Sequence, residues 1–318
     1  MKTLIKLDDK KSNLRTHKDV NFKSRMELLL LSLPAVIWFL IFSYIPMLGI
    51  VVAFKKYSSS LGILGSQWVG LNNFRFLFSA NYAVRILRNT IVYNFASIIL
   101  TTVFSVAIAI MMENVINRSC IKVYQTVMFL PRFISWVVVG YMVMVLMDYE
   151  HGILNGLISF CGGEKVSWYL EKKYWWSILP LAGVWKSMGY LSLVYYGAVI
   201  GIDPTLYEAA DIDGAGKWKQ IRHITIPMIR TSVIIMTLMS IGGIMRSDFG
   251  QFYYVPNNSG AIYEVTDVLD TYIYRTLRVD GDISGSAAAG LFQSVVGFVL
   301  ILISNKLVDK YDSDSSLF

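Results

Sequence analysis

The chain contains six apolar blocks, each about as long as a lipid bilayer is thick, and these blocks constrain its fold more than any other feature. They cover residues 26–54, 89–112, 123–147, 175–201, 226–245 and 287–308. About 20 helical residues cross a hydrocarbon core of about 30 Å, because each residue advances about 1.5 Å. Runs of this length satisfy their own backbone in lipid only as helices. The sequence therefore predicts an all-α polytopic membrane protein with six transmembrane helices, in a domain over residues 26–310.

The amount and distribution of charge oppose a soluble or nucleic-acid-binding protein. Only 16% of the 318 residues are charged, whereas a soluble domain has about 25%. The first 25 residues hold eight lysines and arginines against three aspartates, and a basic segment before a first span is typical of the cytoplasmic side. We predict a cytoplasmic N-terminal segment over residues 1–25, a cytoplasmic tail over residues 311–318, contact with membrane lipid and no nucleic-acid partner.

The charges of the loops give opposite indications about orientation. Residues 249–284, predicted to lie outside, carry five acids against two arginines. Residues 55–88, also predicted outside, carry five basic residues and no acid, whereas basic residues normally accumulate in cytoplasmic loops. Trp175 and Trp176 begin the fourth block, where tryptophans commonly lie at the membrane interface.

The residue types that bind metals or nucleotides form no recognisable pattern. Cys120 and Cys161 are far apart and the three histidines are scattered, so no metal or redox site is predicted. A phosphate-binding loop needs G-x-x-x-x-G-K-[ST], and the nearest fragment, GAGKWK at 214–219, lacks the spacing and the final Ser or Thr. We predict that the chain is not an enzyme, holds no cofactor or metal and hydrolyses no ATP itself.

The segment between the fourth and fifth blocks, residues 203–225, predicts two short helices joined by a sharp turn. Asp203 followed by Pro204 is typical of a helix start. Gly214 ends that helix and permits the turn, and a second helix is predicted over Lys217–His223. Such a compact knob is suited to a groove in another protein.

The residues of this segment match a family. Glu208-Ala209-Ala210, three residues, Gly214, nine residues and Ile224-Thr225-Ile226-Pro227 resemble the EAA loop of ABC importer permeases, which ends in Ile-x-Leu-Pro. Ile226 in place of leucine is the only departure. Other stretches resemble sugar-type permeases: WVGLNNFRFLF (68–78) with RNT (88–90), FLPRFISWVVVG (129–140) and GILNGLI (152–158). The resemblance covers nearly all of the chain after residue 25, and it is closest to permeases for oligosaccharides and complex-polysaccharide fragments, in the class that includes maltose importers.

The resemblance implies a type I importer permease whose EAA loop docks into a cleft of a cytoplasmic ATPase. It implies that Glu208 makes the polar contact, that Ala209 and Ala210 permit close approach and that Gly214 makes the turn. This places the loop, and hence the N-terminus, in the cytoplasm. The expected ATPase-coupling residues are Tyr207, Glu208, Ala209, Ala210, Asp213, Gly214, Ala215, Ile224 and Pro227.

The resemblance also implies partners. We expect a second permease subunit, homologous but different in sequence, and an ATP-binding cassette ATPase dimer that holds ATP and Mg. We further expect an extracellular sugar-binding protein or lipoprotein, and a sugar or oligosaccharide as the transported substrate. The location is then the bacterial cytoplasmic membrane.

Candidates for lining the substrate path come from aromatic and polar residues at helical spacing and from the positions of substrate contacts in the family. They are Trp185, Met188, Gly189, Tyr190, Ser192, Met245, Asp248 and Phe249. Each could equally pack between helices. Two further cations within the blocks, Lys186 and Arg132, are expected to form an internal ion pair or to contact the second permease, because ionisable groups in lipid need a partner.

Two other functions fit the sequence less well. A secondary transporter driven by an ion gradient would favour inverted repeats, broken helices and buried carboxylates, and the blocks are poor in carboxylates. An integral-membrane enzyme would require clustered histidines or acids near one membrane face. The importer permease accounts for more of the sequence than either.

Overall fold

The computed structural model describes residues 22–78, 82–115 and 117–311, which are mostly helical as predicted. Residues 1–21 of the predicted basic segment, and residues 312–318 of the predicted tail, lie outside the described residues. Within the described residues the strands are a single two-residue antiparallel pair, Lys55–Lys56 (β1) and Gln67–Trp68 (β2).

The α-helices, in chain order, are Phe22–Phe39 (α1), Ile45–Met47 (α2), Gly62–Gly65 (α3), Tyr82–Glu113 (α4), Arg118–Phe129 (α5), Trp136–Leu146 (α6), Ile153–Phe160 (α7), Trp175–Ile200 (α8), Pro204–Ile212 (α9), Lys217–Gln220 (α10), Ile226–Met228 (α11), Arg230–Gly242 (α12), Phe249–Tyr254 (α13), Tyr263–Thr266 (α14), Leu269–Arg278 (α15) and Ile283–Tyr311 (α16). The π-helical turns are Leu40–Tyr44 and Ile221–Thr225. The 3₁₀ segments are Leu48–Phe54, Gly70–Phe78, Leu130–Phe133, Lys172–Tyr174 and Gly260–Ile262.

Three helical segments are long and apolar enough to cross a bilayer: Leu29–Phe54, Tyr82–Glu113 and Ile283–Lys310. Two bent pairs bring the number to five if each pair is one span. Six spans are therefore not confirmed among the described residues. The fourth predicted span is one continuous helix, α8, but serines, tyrosines and Lys186 interrupt its apolar residues, so α8 is not among the segments that qualify.

Two predicted spans are bent. The third, residues 123–147, turns by 95° between Ser119–Phe133 and Trp136–Leu146. Pro131 lies just before the turn, and proline lacks the N–H that would continue a helix. The fifth is bent by 56° between Lys217–Met228 and Arg230–Gly242. The second begins at Tyr82 rather than Asn89.

The chain divides into two compact units, residues 1–51 and 52–318. The first unit contains α1, with Pro34 inside the helix, followed by the π-helical turn and α2. Its side chains from Leu29 onward are almost all apolar, which is typical of a helix in contact with lipid. The rings of Trp38 and Phe42 lie 4.2 Å apart between centroids.

The second unit is organised around α4 and α8, which pack along much of their length. A buried aromatic and aliphatic core lies beside this pair, with Tyr93 and Trp175 as its largest members. The indole of Trp175 is fully buried and donates to the Trp168 carbonyl at 2.8 Å. Trp175 is therefore a core residue, and its expected place at the membrane interface is wrong.

Four side-chain amides, three of them buried, bind backbone carbonyls of other helices or of the segments between helices. Asn89 donates to the Asp267 carbonyl at 2.9 Å, and Asn94 to that of Ile244 at 2.8 Å. Gln251 donates to the Leu179 carbonyl and Gln293 to that of Met245, each at 2.7 Å. Because an unpaired carbonyl in an apolar interior costs about 1–3 kcal/mol, these amides fix the short helices between α12 and α16 against the long ones.

A buried ion pair also stabilises this region. Asp267 is 1% exposed and pairs with Arg275, while its carboxylate accepts from the hydroxyl of Tyr82 at 3.0 Å and from that of Thr271 at 2.5 Å. The contacts join α4 to α15.

Replacing Asp267 by alanine is expected to lower the free energy of unfolding by about 3–5 kcal/mol, because the Arg275 guanidinium loses its buried counter-charge. Denaturation of the detergent-purified protein, followed by tryptophan fluorescence, measures the change. Asp280→Ala removes an exposed carboxylate from the same segment and should change stability by less than about 0.5 kcal/mol. Equal effects of the two substitutions would contradict a special role for the buried pair.

Candidate functional site

The 203–225 loop begins with a capped helix, α9. The carboxylate of Asp203 accepts a hydrogen bond from the Thr205 amide at 3.0 Å, and Pro204 occupies the first turn, as predicted. The amide hydrogen bond favours the ionised carboxylate, so the pKa of Asp203 is lowered from its ordinary value. The start of α9 is thus set by its local sequence.

The turn after α9 depends on Gly214, whose φ of +72° is unfavourable for other residues. The Gly214 amide donates to the Asp211 carbonyl at 3.1 Å, and the Ala215 amide to the Ala210 carbonyl at 2.9 Å. These bonds satisfy carbonyls at the helix end. The predicted turn at Gly214 is confirmed.

The second helix of the loop is longer than predicted. α10 continues through the π-helical turn Ile221–Thr225 into α11, so the helical run covers Lys217–Met228 rather than Lys217–His223. Pro227 comes two residues after the end of the π-helical turn, and the helical run ends at the next residue, Met228. The helical run ends at the 56° bend before α12.

Internal contacts tie the 203–225 loop to the helices on either side of it. The hydroxyls of Tyr207 and Thr225 lie 2.9 Å apart. Gln220 is buried and donates to the Asp211 carboxylate and to the Ala215 carbonyl. Tyr207 and Ile224 also pack against a buried cluster formed by Val199, Ile202 and Ile229. The loop is therefore held as one body with the end of α8 and the start of α12.

The opposite surface of the loop is open. Glu208, Ala209, Asp213 and Gly214 are exposed, and among the described residues Glu208 makes no hydrogen bond or ion pair. Two large apolar side chains of the same loop are also exposed, Ile212 at 87% and Trp218 at 74%; neither was predicted from the sequence. An exposed carboxylate and exposed large apolar side chains on one short loop are typical of a docking surface. Of the other predicted coupling residues, Ala210 and Ala215 are half-buried and Pro227 is exposed.

Most of the predicted path-lining residues of α8 pack against other helices. Gly189 is buried, and a Cβ there would lie 1.7 Å from the Met128 carbonyl oxygen. Ser192 is buried and bonds the Gly189 carbonyl, while the half-buried Met188 accepts from Ser105 through its carbonyl. Trp185 packs against the core cluster around Trp175. Met245 is also buried.

The remaining three candidates lie on more open surface, and Tyr190 and Asp248 adjoin the break in the third predicted span, between Phe133 and Trp136. Tyr190 is 48% exposed and lies below the Arg132 guanidinium, whose Cζ is 5.5 Å from the ring centroid. Asp248 is exposed and accepts from the Trp136 indole at 2.6 Å. The Lys186 ammonium lies 4.8 Å from the centroid of the same indole ring.

The third open candidate, Phe249, belongs to an aromatic cluster with Tyr253, Tyr254 and Tyr274. The ring centroids of Phe249 are 4.9 Å from Tyr253 and 4.7 Å from Tyr274, and Tyr253 is 5.2 Å from Tyr254. Asp248 caps the helix that carries three of these rings, accepting from the Gly250 amide at 3.0 Å. The break and the aromatic cluster thus adjoin one another at Asp248.

Sequence reasoning did not identify Trp136, Tyr253 or Tyr274 as neighbours of this site. They come from three separate helices, α6, α13 and α15, so no periodic pattern within one helix relates them. The expected internal ion pair of Lys186 or Arg132 is also absent among the described residues. Lys186 instead donates to the Ile134 carbonyl at the break.

Residues 105–311 match the family model described as binding-protein-dependent transport system inner membrane component. The polygalacturonan/rhamnogalacturonan transport system permease protein YteP of Bacillus subtilis (strain 168) is 36% identical over 287 residues, which cover 90% of this chain and 89% of that protein.

Two solved structures of transporter chains have a similar fold. A chain from the crystal structure of a bacterial ABC transporter involved in the import of the acidic polysaccharide alginate superposes with a TM-score of 0.83 and 31% identity, covering 91% of this chain and 97% of its own. A chain of the bacterial alginate ABC transporter in complex with an alginate pentasaccharide-bound periplasmic protein gives 0.82 and 31%, covering 91% and 96%.

Proposed function

Because the chain belongs to the family of binding-protein-dependent transport system inner membrane components, we propose that it is one of two membrane-spanning subunits of an ATP-driven sugar importer. The substrate is a sugar, with oligosaccharides as the expected form, since relatives are named for polysaccharide transport. The chain itself forms half of the translocation path and performs no catalysis.

The observation that carries this proposal is the exposed, rigidly held surface of the 203–225 loop. Glu208 is free to contact a partner. Hydrogen bonds of Tyr207, Gln220 and Thr225 hold the two helices of the loop together, just before α11 begins. If a bound partner displaces α9, the end of α8 and the start of α12 therefore move with it as a rigid body. This is what coupling to an ATPase requires.

The proposal includes three protein partners, which the family implies. The loop faces the cytoplasm and docks on an ATP-binding cassette ATPase dimer, which holds ATP and Mg; the N-terminus is then cytoplasmic. A second, homologous permease closes the path on the other side. An extracellular sugar-binding protein delivers the substrate, as the structure of the alginate transporter in complex with its periplasmic protein suggests. Each nucleotide state must favour one permease conformation for transport to be driven.

Affinity purification of the tagged chain from its native membrane tests the proposal. We expect a second permease and an ATPase to be recovered with it, and ATP hydrolysis to rise when a saccharide-loaded binding protein is added. A chain that purifies alone and supports transport driven by an ion gradient would show that the proposal is wrong.

A further inference from the structure

Two cations meet at the break between Phe133 and Trp136. Lys186, 7% exposed, reaches the break from α8, and Arg132 lies at the end of the preceding helical segment. The Lys186 ammonium donates to the carbonyl of Ile134, which is two residues beyond Arg132. The break therefore brings together two positive charges from segments far apart in the sequence.

The one carboxylate near these cations is already engaged. Asp248 accepts from the Trp136 indole at 2.6 Å and from the Gly250 amide at 3.0 Å. Among the described residues, no carboxylate lies within ion-pair distance of Arg132 or Lys186. One acid against two cations leaves an excess of positive charge at the break.

A helix end adds to this excess. α6 has 11 residues and begins at Trp136, with Ser135 as its N-cap. The first amides of a helix have no intrahelical acceptor and carry a partial positive charge. The start of α6 therefore points toward the same region as the two cations.

The Arg132 side chain is exposed, and Tyr190 below it is 48% exposed. A guanidinium is too costly to face hydrocarbon, so it faces a water-filled path or another protein chain. Lys186 is held by the Ile134 carbonyl and the Trp136 ring, so it supplies charge without being free to move. Arg132 is the group that is free to bind a ligand.

From this geometry we propose that the break binds the carboxylate of an acidic saccharide, such as a uronic acid residue. Arg132 donates to the carboxylate, since a guanidinium matches a planar carboxylate with two parallel hydrogen bonds. Lys186 and the start of α6 strengthen the positive potential. In the neighbouring aromatic cluster, the exposed ring of Tyr254 is available to the sugar. The inference rests on the proposed importer function and specifies the charge of its substrate.

The test uses the complete complex in proteoliposomes with its binding protein, and measures stimulated ATP hydrolysis. The probes are trigalacturonate and its trimethyl ester, which has nearly the same shape but no charge, with maltotriose as a neutral saccharide. For Arg132→Gln we expect the half-maximal concentration of trigalacturonate to rise about tenfold or more, as for loss of a charge-assisted hydrogen bond. Arg132→Lys keeps the charge but loses the paired donors and the stacking on Tyr190, so it should give a smaller rise, of about threefold.

The control is Lys310→Gln, which removes one exposed positive charge from the last turn of α16. It should leave the response to every probe unchanged. Because all variants share one binding protein, a difference between them arises in the permease. Size-exclusion chromatography of each complex shows whether the second permease is retained.

Several results would overturn the inference. Arg132→Gln could leave the response to trigalacturonate unaltered, or shift the responses to trigalacturonate and its ester alike. It could release the second permease, which would assign Arg132 to the subunit interface. A complex stimulated only by neutral saccharides would reject the acidic substrate and leave the importer function standing. A complex with no ATPase and no response to any saccharide would reject both.

Discussion

Replacing Glu208 by lysine is expected to reduce uptake at least about 100-fold and to release the ATPase from the purified complex. Glu208 is exposed on α9 and makes no hydrogen bond or ion pair among the described residues, so the substitution should not disturb the fold. At a partner surface complementary to a carboxylate, an ammonium brings like charges together, which costs several kcal/mol. A loss of about 2.8 kcal/mol already corresponds to 100-fold.

The measurement is sugar uptake by cells that carry the variant, together with the amount of ATPase that copurifies with it. Glu164→Lys makes the same change at an exposed position between α7 and α8, and uptake should be normal. Membrane insertion and yield should match the unchanged protein in both variants. Normal uptake by cells with Glu208→Lys would show that Glu208 does not couple the permease to the ATPase.

Replacing Gly189 by alanine is expected to destabilise the protein by about 3 kcal/mol or more. The new Cβ would lie 1.7 Å from the Met128 carbonyl oxygen and 2.4 Å from its carbon. These are backbone atoms of α5, so they can move only if the helix moves. Overpacking in a well-packed core costs about 1–3 kcal/mol and sometimes more, and here the contact is far shorter than van der Waals distance.

Gly197→Ala is the matched control, because Gly197 is in the same helix and a Cβ there meets nothing within 4 Å. It should be neutral or stabilising by up to about 1 kcal/mol, since alanine favours helix over glycine. The yield of monodisperse detergent-purified protein and its thermal unfolding temperature compare the two variants. Similar behaviour of both would mean that α5 and α8 do not approach closely at Gly189.

The Gly189 case also shows what sequence spacing does not decide. Trp185, Gly189 and Ser192 lie on one face of α8 by helical period. For that reason the sequence predicted all three as path-lining residues. The structure places Gly189 and Ser192 inside the packing of α8 against α4 and α5, while Tyr190 is open. Substrate contact for each of these residues stays a prediction.

The bend in the third span was also missed. Residues 123–147 are apolar throughout most of their length, which predicted one helix, and Pro131 was the only indication of a break. Broken helices were expected in a secondary transporter rather than in an importer permease. This chain has a broken span, yet it belongs to the importer permeases. A discontinuous helix therefore shows where polar groups can gather in the membrane, and does not by itself identify the source of energy.

The sequence by itself determined the features that depend on neighbouring residues. The mostly helical fold, the cap at Asp203, the turn at Gly214 and the family all follow from local composition, spacing and motif. The tertiary structure alone decided which distant residues meet. Trp136 and Asp248 are 112 positions apart and share a hydrogen bond, and their proximity to Lys186 and Arg132 follows from how α6, α8 and α13 pack. Capping and turn preferences act within a few residues, whereas the charge gathered at the break arises only when separate helices bring their side chains together.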